Sequence, residues 1–166
     1  MVKTKRSILL IVPILLILMQ GAFAATSTVE ARTMQPYQAH IEADKIQAGA
    51  QWLSKNGILH MKGDYWLGNE TTSDGIFEAW IDSVRLDQTT GEGTFRLRWL
   101  LYYRPTMSSL DGTARGEING NQIHGTFTSR QGSNLLEGVR TSGSFEGVLQ
   151  GSTHVVIEVT GVTIYH

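Results

Sequence analysis

The stretch that decides the fold is Gly93–Arg104, GTFRLRWLLYYR. Gly93, Phe95, Leu97, Trp99, Leu101 and Tyr103 fall on one side of an extended chain, and Thr94, Arg96, Arg98, Leu100, Tyr102 and Arg104 on the other. A two-residue period marks a strand with one face turned to a core, whereas a helix would space its apolar residues three and four apart.

The same alternation recurs on either side of this stretch. Tyr37, Ala39, Ile41 and Ala43 share a face, as do Leu59, Met61, Gly63, Tyr65 and Leu67, and Val155, Ile157, Val159 and Gly161. Between these runs lie turn signals such as Lys55-Asn56-Gly57, Asp87–Gly91 and Asn119-Gly120-Asn121; Asn-Gly suits a type I′ hairpin turn, which needs positive φ at both central residues. The pattern predicts eight or nine strands, at roughly 36–44, 46–54, 57–67, 75–87, 92–104, 112–119, 121–130, 135–150 and 153–165. No stretch from Pro36 onward sustains a helical period for three turns. The expected fold is all-β, an antiparallel up-and-down β-barrel of about eight strands, with a β-sandwich as the alternative. Closure favours the barrel, because it removes the sheet edges that a disulfide-free secreted protein would otherwise expose.

Two nonapeptides raise a separate question: GTARGEING (112–120) and GSFEGVLQG (143–151) both read G-[T/S]-x-x-G-x-[I/L]-x-G. Alternation places their glycines on the apolar face beside Ile118, Phe145 and Leu149. Glycine weakens a strand interior, so its presence there needs a reason. Three are available: sharp coiling of a small barrel, room for large residues of other strands, and close approach of a ligand to backbone.

The amino terminus is of another kind. Lys3, Lys5 and Arg6 precede the apolar run Ile8–Met19, and Ala22-Phe23-Ala24 follows. This order predicts a signal peptide over 1–24 cleaved after Ala24, with an uncleaved membrane anchor as the alternative. Residues 25–35 read as a flexible leader, and 36–166 as a single domain. Cleavage would leave eleven basic against fifteen acidic side chains, a net charge of about −4, which argues against a nucleic-acid partner and against an anionic membrane surface. The expected location is secreted or extracytoplasmic. With no cysteine, disulfides and thiol chemistry are excluded.

Gly143-Ser144-Phe145-Glu146-Gly147 resembles the G-x-F-x-G segment of dirigent proteins and the related allene oxide cyclase barrels. The resemblance covers about five residues together with strand number and length. It implies a small, secreted or plastid eight-stranded barrel, of trimeric type, that guides radical coupling or cyclises a fatty-acid epoxide. No catalytic residue of those families has a matching motif here.

Candidate chemistry is sparse. His40, His60, His124, His154 and His166 show no short metal-ligand spacing, and no metal or cofactor is expected. Asn69-Glu70-Thr71 is a glycosylation sequon, meaningful only in a host that glycosylates. The strand IFEAWIDSVRL leaves two registers open. One puts Phe77, Ala79 and Ile81 inside; the other brings Trp80 inside and carries Glu78 and Asp82 with it, as candidate acid–base carboxylates. The first is preferred because carboxylates are rarely buried, and a bulge would allow both in one strand. In that register Trp66, Trp80, Leu100 and Tyr102 form an outward patch suited to a second copy or an envelope protein, while Tyr65, Trp99 and Tyr103 line the lumen as candidate contacts for a small apolar ligand. The function expected from the sequence is non-catalytic binding of such a ligand or of a protein partner. A cyclase- or dirigent-like enzyme using an interior carboxylate, and a structural envelope protein with a filled core, are the alternatives.

Overall fold

The computed structural model describes residues 33–165. The expected signal peptide, residues 25–32 of the expected leader, and His166 lie outside the described residues. The elements in chain order are β1 (Thr33–Gln47), β2 (Ala50–Leu53), β3 (Ile58–Lys62), β4 (Tyr65–Glu70), β5 (Gly75–Asp87), β6 (Glu92–Tyr103), β7 (Ser108–Asn119), β8 (Gln122–Gly132), a single 3-10 turn (Asn134–Leu136), β9 (Arg140–Gln150) and β10 (His154–Tyr165).

Eight of the strands close an antiparallel barrel in the order β1-β4-β5-β6-β7-β8-β9-β10, and β10 returns to pair with β1 from Thr33↔Tyr165 to Asp44↔His154. β3 lies end to end with β4 along β5, and β2 pairs with β3. Together β2 and β3 form a ribbon that extends the wall alongside the end of β5. The predicted alternation therefore locates most of the wall. It places β1 three residues late, since the strand begins at Thr33 rather than 36, and it misses the interruption at Gly63-Asp64 within the expected strand 57–67.

That interruption changes which side chains face inward. Gly63 adopts φ +84, its N–H donates to the Ile81 carbonyl at 2.7 Å, and the Ile81 N–H donates to the Asp64 carbonyl at 2.9 Å. Directly opposite, β5 carries a bulge between Ile81 and Ser83. An extra residue in a strand flips every later side chain to the other face. Leu59 and Met61 thus face inward as expected, but beyond Gly63 the inward residues are Trp66, Gly68 and Glu70, paired with Ala79, Phe77 and Gly75. On β5, Phe77, Ala79 and Ile81 point inward, and after the bulge so do Val84 and Leu86. One strand uses both parities.

The corner is tied by an ion pair. Lys45 Nζ lies 3.0 Å from Asp64 Oδ2 and 5.4 Å from the Trp66 ring centroid, and Asp64 also accepts the Gly49 N–H at 2.7 Å. The break between β1 and β2 is thereby joined to the break between β3 and β4.

The lumen is filled chiefly by aromatic rings. Trp99 and Phe127 meet edge to face with centroids 6.1 Å apart, and Phe95 and Phe145 meet tilted at 5.9 Å. Each ring lies over a glycine of the neighbouring strand. Trp99 is paired with Gly112, Phe95 with Gly116, Phe145 with Gly125 and Phe127 with Gly143. At Gly112 an added Cβ would stand 2.1 Å from the Thr128 carbonyl oxygen and 2.6 Å from the indole. The glycine face of the two nonapeptides is therefore where the rings and the adjacent backbone need room. The turn after GTARGEIN differs from the type I′ expectation: Gly120-Asn121 is its centre, and only Gly120, φ +62, is in the left-handed region.

His40 on β1 reaches across the β1–β10 pairing to Glu158 (Nδ1–Oε1 2.5 Å) and along its own strand to Glu42 (Nε2–Oε1 3.2 Å). The hydrogen bond to Glu158 first, and that to Glu42 second, hold the imidazolium above the usual histidine range. A raised folded value means that the stabilisation is fully present below the unfolded histidine value, about pH 6.5, and is lost as pH rises through the folded one. The gap in thermal midpoint between the parent protein and His40→Gln is expected to be widest just below that pH and to close in alkaline solution. A pH-independent gap would assign the role of His40 to packing.

Candidate functional site

The lumen offers little free volume. Its residual cavity is about 80 Å³, lined among others by Tyr37, Phe77, Trp99, Phe127, Thr141 and Phe145. A cavity of about 150 Å³ is the size that admits benzene in an engineered protein core, so this one suits at most a few heavy atoms. Of the three residues expected to line the lumen, Trp99 does so and is 8% exposed. Tyr103 faces inward at one mouth of the barrel, its hydroxyl 3.5 Å from that of Tyr37. Tyr65 is a correction: the break at Gly63-Asp64 turns it outward, opposite Trp80.

The mouth holds a carboxylate that alternation had not brought inside. Glu70 is 1% exposed, and its oxygens accept the Thr72 N–H at 2.7 Å, the Ser73 N–H at 3.0 Å and the Ser73 hydroxyl. It closes the β4–β5 loop from within. Its charge adds to the burial that pushes the phenols of Tyr37 and Tyr103 upward, with burial the larger cause in both. Because loop donors occupy both oxygens, Glu70 reads as a structural group. In the sequence it stood only as the middle residue of the sequon Asn69-Glu70-Thr71, at the end of a strand whose parity had been misassigned.

Glu78 and Asp82, the candidate acid–base pair, do not face the lumen. Asp82 lies in the bulge and binds Arg98 at 3.0 Å. Glu78 is on the outer face, where the Tyr65 hydroxyl donates to its Oε2 at 3.0 Å. Partial burial first, and the Glu78 carboxylate second, raise the Tyr65 phenol above its usual range.

Around Glu78 the outer wall is apolar. The strand register places Leu67 and Leu100 on either side of it, and alternation puts Ile76 and Trp80 above and below. Tyr102 lies opposite Ile76, and Tyr65 packs on Trp80 with ring centroids 5.4 Å apart. Three of the four expected patch residues, Trp80, Leu100 and Tyr102, are thus brought together on β5 and β6. Trp66, the fourth, is a correction, turned inward against the core by the same parity change that brings Tyr65 out. The patch keeps its size because one aromatic replaces another.

The other histidines among the described residues pair with acidic groups or stack on rings: His124 with Glu117 at 3.3 Å, His154 with Asp44 at 2.8 Å, His60 on Trp52. Asn69 of the sequon sits at the end of β4, its Oδ1 accepting a hydrogen bond from Arg104 at 3.2 Å. In comparison with known proteins, the chain matches no family model and no curated sequence.

Proposed function

We propose that this chain is a secreted, non-catalytic interaction module, in which a solid barrel acts as the frame for the outer face of β4, β5 and β6, and that this face seats a second copy of the chain. The observation that carries the reading is the contrast between the two sides of one wall: inside, aromatic rings reduce the cavity to about 80 Å³; outside, Tyr65, Leu67, Ile76, Trp80, Leu100 and Tyr102 surround a single anchored carboxylate. Large rings fixed on a rigid sheet are the side chains that dominate protein interfaces. A second copy is favoured over another partner by charge. Arg98 lies directly opposite Trp80 on the same face, one step from Glu78 along the sheet. A two-fold axis passing between Glu78 and Arg98 would set Glu78 of each copy against Arg98 of the other, with Arg98 keeping Asp82 of its own chain on its other side, and such isologous pairing needs no other complement.

The expected result is a dimeric mass by light scattering at micromolar concentration. Trp80→Ala should weaken dimerisation by about 2 kcal/mol, roughly 30-fold in dissociation constant, with the fold intact by circular dichroism. A parent protein that stays monomeric at high concentration overturns the reading.

One observation favours a second reading, a small neutral ligand in the lumen. The indole N–H of Trp99 is buried without a hydrogen-bond partner, and Trp99 lines the cavity. A ligand with one acceptor atom and very few carbons would satisfy it.

A further inference from the structure

The β2–β3 ribbon is built unlike the rest of the wall. β2 is paired on one side only, with β3, and all four of its residues are exposed. Trp52 and Leu53 are 52% and 57% exposed, and Ile46, just before the ribbon, 58%. Alternation turns Trp52 and Leu53 to opposite faces. Trp52 stacks flat on His60 with centroids 5.2 Å apart, and Leu53 sits across from Leu59.

Charge is segregated in the same place. Between Asp44 and Asp64 the chain carries Lys45, Lys55 and Lys62 and no acidic residue, and these are the only lysines among the described residues. Lys45 is engaged by Asp64, while Lys55 and Lys62 are exposed. The neighbouring strand β5 adds Arg85 opposite His60 and Asp87 opposite Ile58, so a chain whose acidic residues outnumber its basic ones presents here an apolar edge of net positive charge.

We propose that this ribbon docks the protein on an anionic lipid surface, with Trp52 and Leu53 entering the boundary between headgroups and acyl chains and Lys55 and Lys62 meeting the headgroup phosphates. Tryptophan beside lysine is the side-chain pairing that settles at bilayer interfaces. Two features favour lipid over an acidic protein. Apolar side chains on both faces of one ribbon are covered together by a fluid layer, whereas a rigid partner covers one face. The open edge is also only four residues long and ends beside Lys55, which makes it a poor template for strand addition. The net acidity of the chain does not oppose this, because attraction to a surface acts within about a Debye length, roughly 8–10 Å, of the docking groups. The proposal is independent of the outer face of β4–β6.

The test is co-sedimentation of the protein with vesicles of phosphatidylcholine alone and of equimolar phosphatidylcholine and phosphatidylglycerol. Binding to the anionic vesicles is expected to be at least about tenfold tighter, to weaken with salt, and to shift tryptophan emission to the blue. The double variant Trp52→Ser with Leu53→Ser should lose about tenfold or more. Lys55→Glu with Lys62→Glu, which leaves the apolar contacts of the ribbon in place, should reduce anionic binding to the neutral level. Equal or absent binding to the two vesicle types, or full binding by the serine variant, overturns the proposal. Retention on immobilised polyglutamate as tight as on vesicles, without an emission shift, replaces lipid with an acidic protein.

Discussion

Gly112→Ala is expected to destabilise the barrel by roughly 3–4 kcal/mol, lowering the thermal midpoint by about 10 °C, although it adds a single methyl group. The new carbon would lie 2.1 Å from the Thr128 carbonyl oxygen, 2.6 Å from one indole carbon of Trp99 and 2.7 Å from another. A flexible side chain would move aside. A backbone carbonyl held in the β7–β8 ladder cannot, so the two strands must separate or Trp99 must leave its rotamer. Gly120→Ala is the contrasting control: nothing lies within 4 Å of its added carbon, and only the left-handed backbone, φ +62, opposes it, a cost of roughly 1–2 kcal/mol. Urea unfolding of the two variants measures the difference. Equal losses would show that glycine serves Gly112 through backbone conformation and not through space.

The second large effect belongs to Glu70. Replacing it with alanine removes the acceptor for two backbone N–H groups and one hydroxyl at a site with almost no solvent access. A hydrogen bond to a charged group contributes about 1.5–3 kcal/mol, and the three bonds share one carboxylate and do not add in full, so a loss of at least about 3 kcal/mol is expected. Glu70→Gln keeps one acceptor oxygen but turns an NH2 group toward N–H donors, and should fall between. The local readout is amide exchange: the Thr72 and Ser73 N–H groups should lose protection in the alanine variant while the β7–β8 ladder keeps its own. A loss under about 1 kcal/mol with unchanged exchange would mean that the loop holds itself.

These two sites show how far the sequence was legible. Around Gly112, alternation alone gave the strand, its inward face and the glycine stripe, because β6–β7 and β8–β9 pair without a register shift, and the shift in β7–β8 between Asp111 and Gly112 puts the extra residue, Arg130, on β8 and leaves period two intact along β7. What alternation did not give was which ring covers which glycine, since that depends on register between strands. Around Glu70, alternation failed for a definite reason. A bulge adds a residue without changing composition, and the shift at Gly63-Asp64 is matched by one at Ile81/Ser83 in the partner strand. Everything from Tyr65 to Glu70 therefore appeared on the wrong face. A glycine followed by aspartate inside an otherwise apolar run was the visible sign of it. On β5 the preferred register placed Trp80 and Glu78 correctly, because the energetic rule against buried carboxylates applies whatever the local parity.

The pairing of β1 with β10 has a consequence for how the chain reaches this state. The other strand pairings that close the barrel join successive strands, apart from β1 with β4, whose partners Ile41 and Glu70 are still much nearer in sequence than the ends of the chain, and hairpins form in microseconds. The last pairing joins Thr33 to Tyr165, so the rate of the whole process is governed by one long-range search. As the chain is made from its amino end, β1 emerges early and waits with a bare edge until β10 follows. In a crowded solution the β10 of another molecule offers the same hydrogen bonds and the same Glu158 to its His40. The step that seals a single barrel is thus also the step at which strand exchange between two molecules would compete, and a higher concentration during folding would favour the exchange.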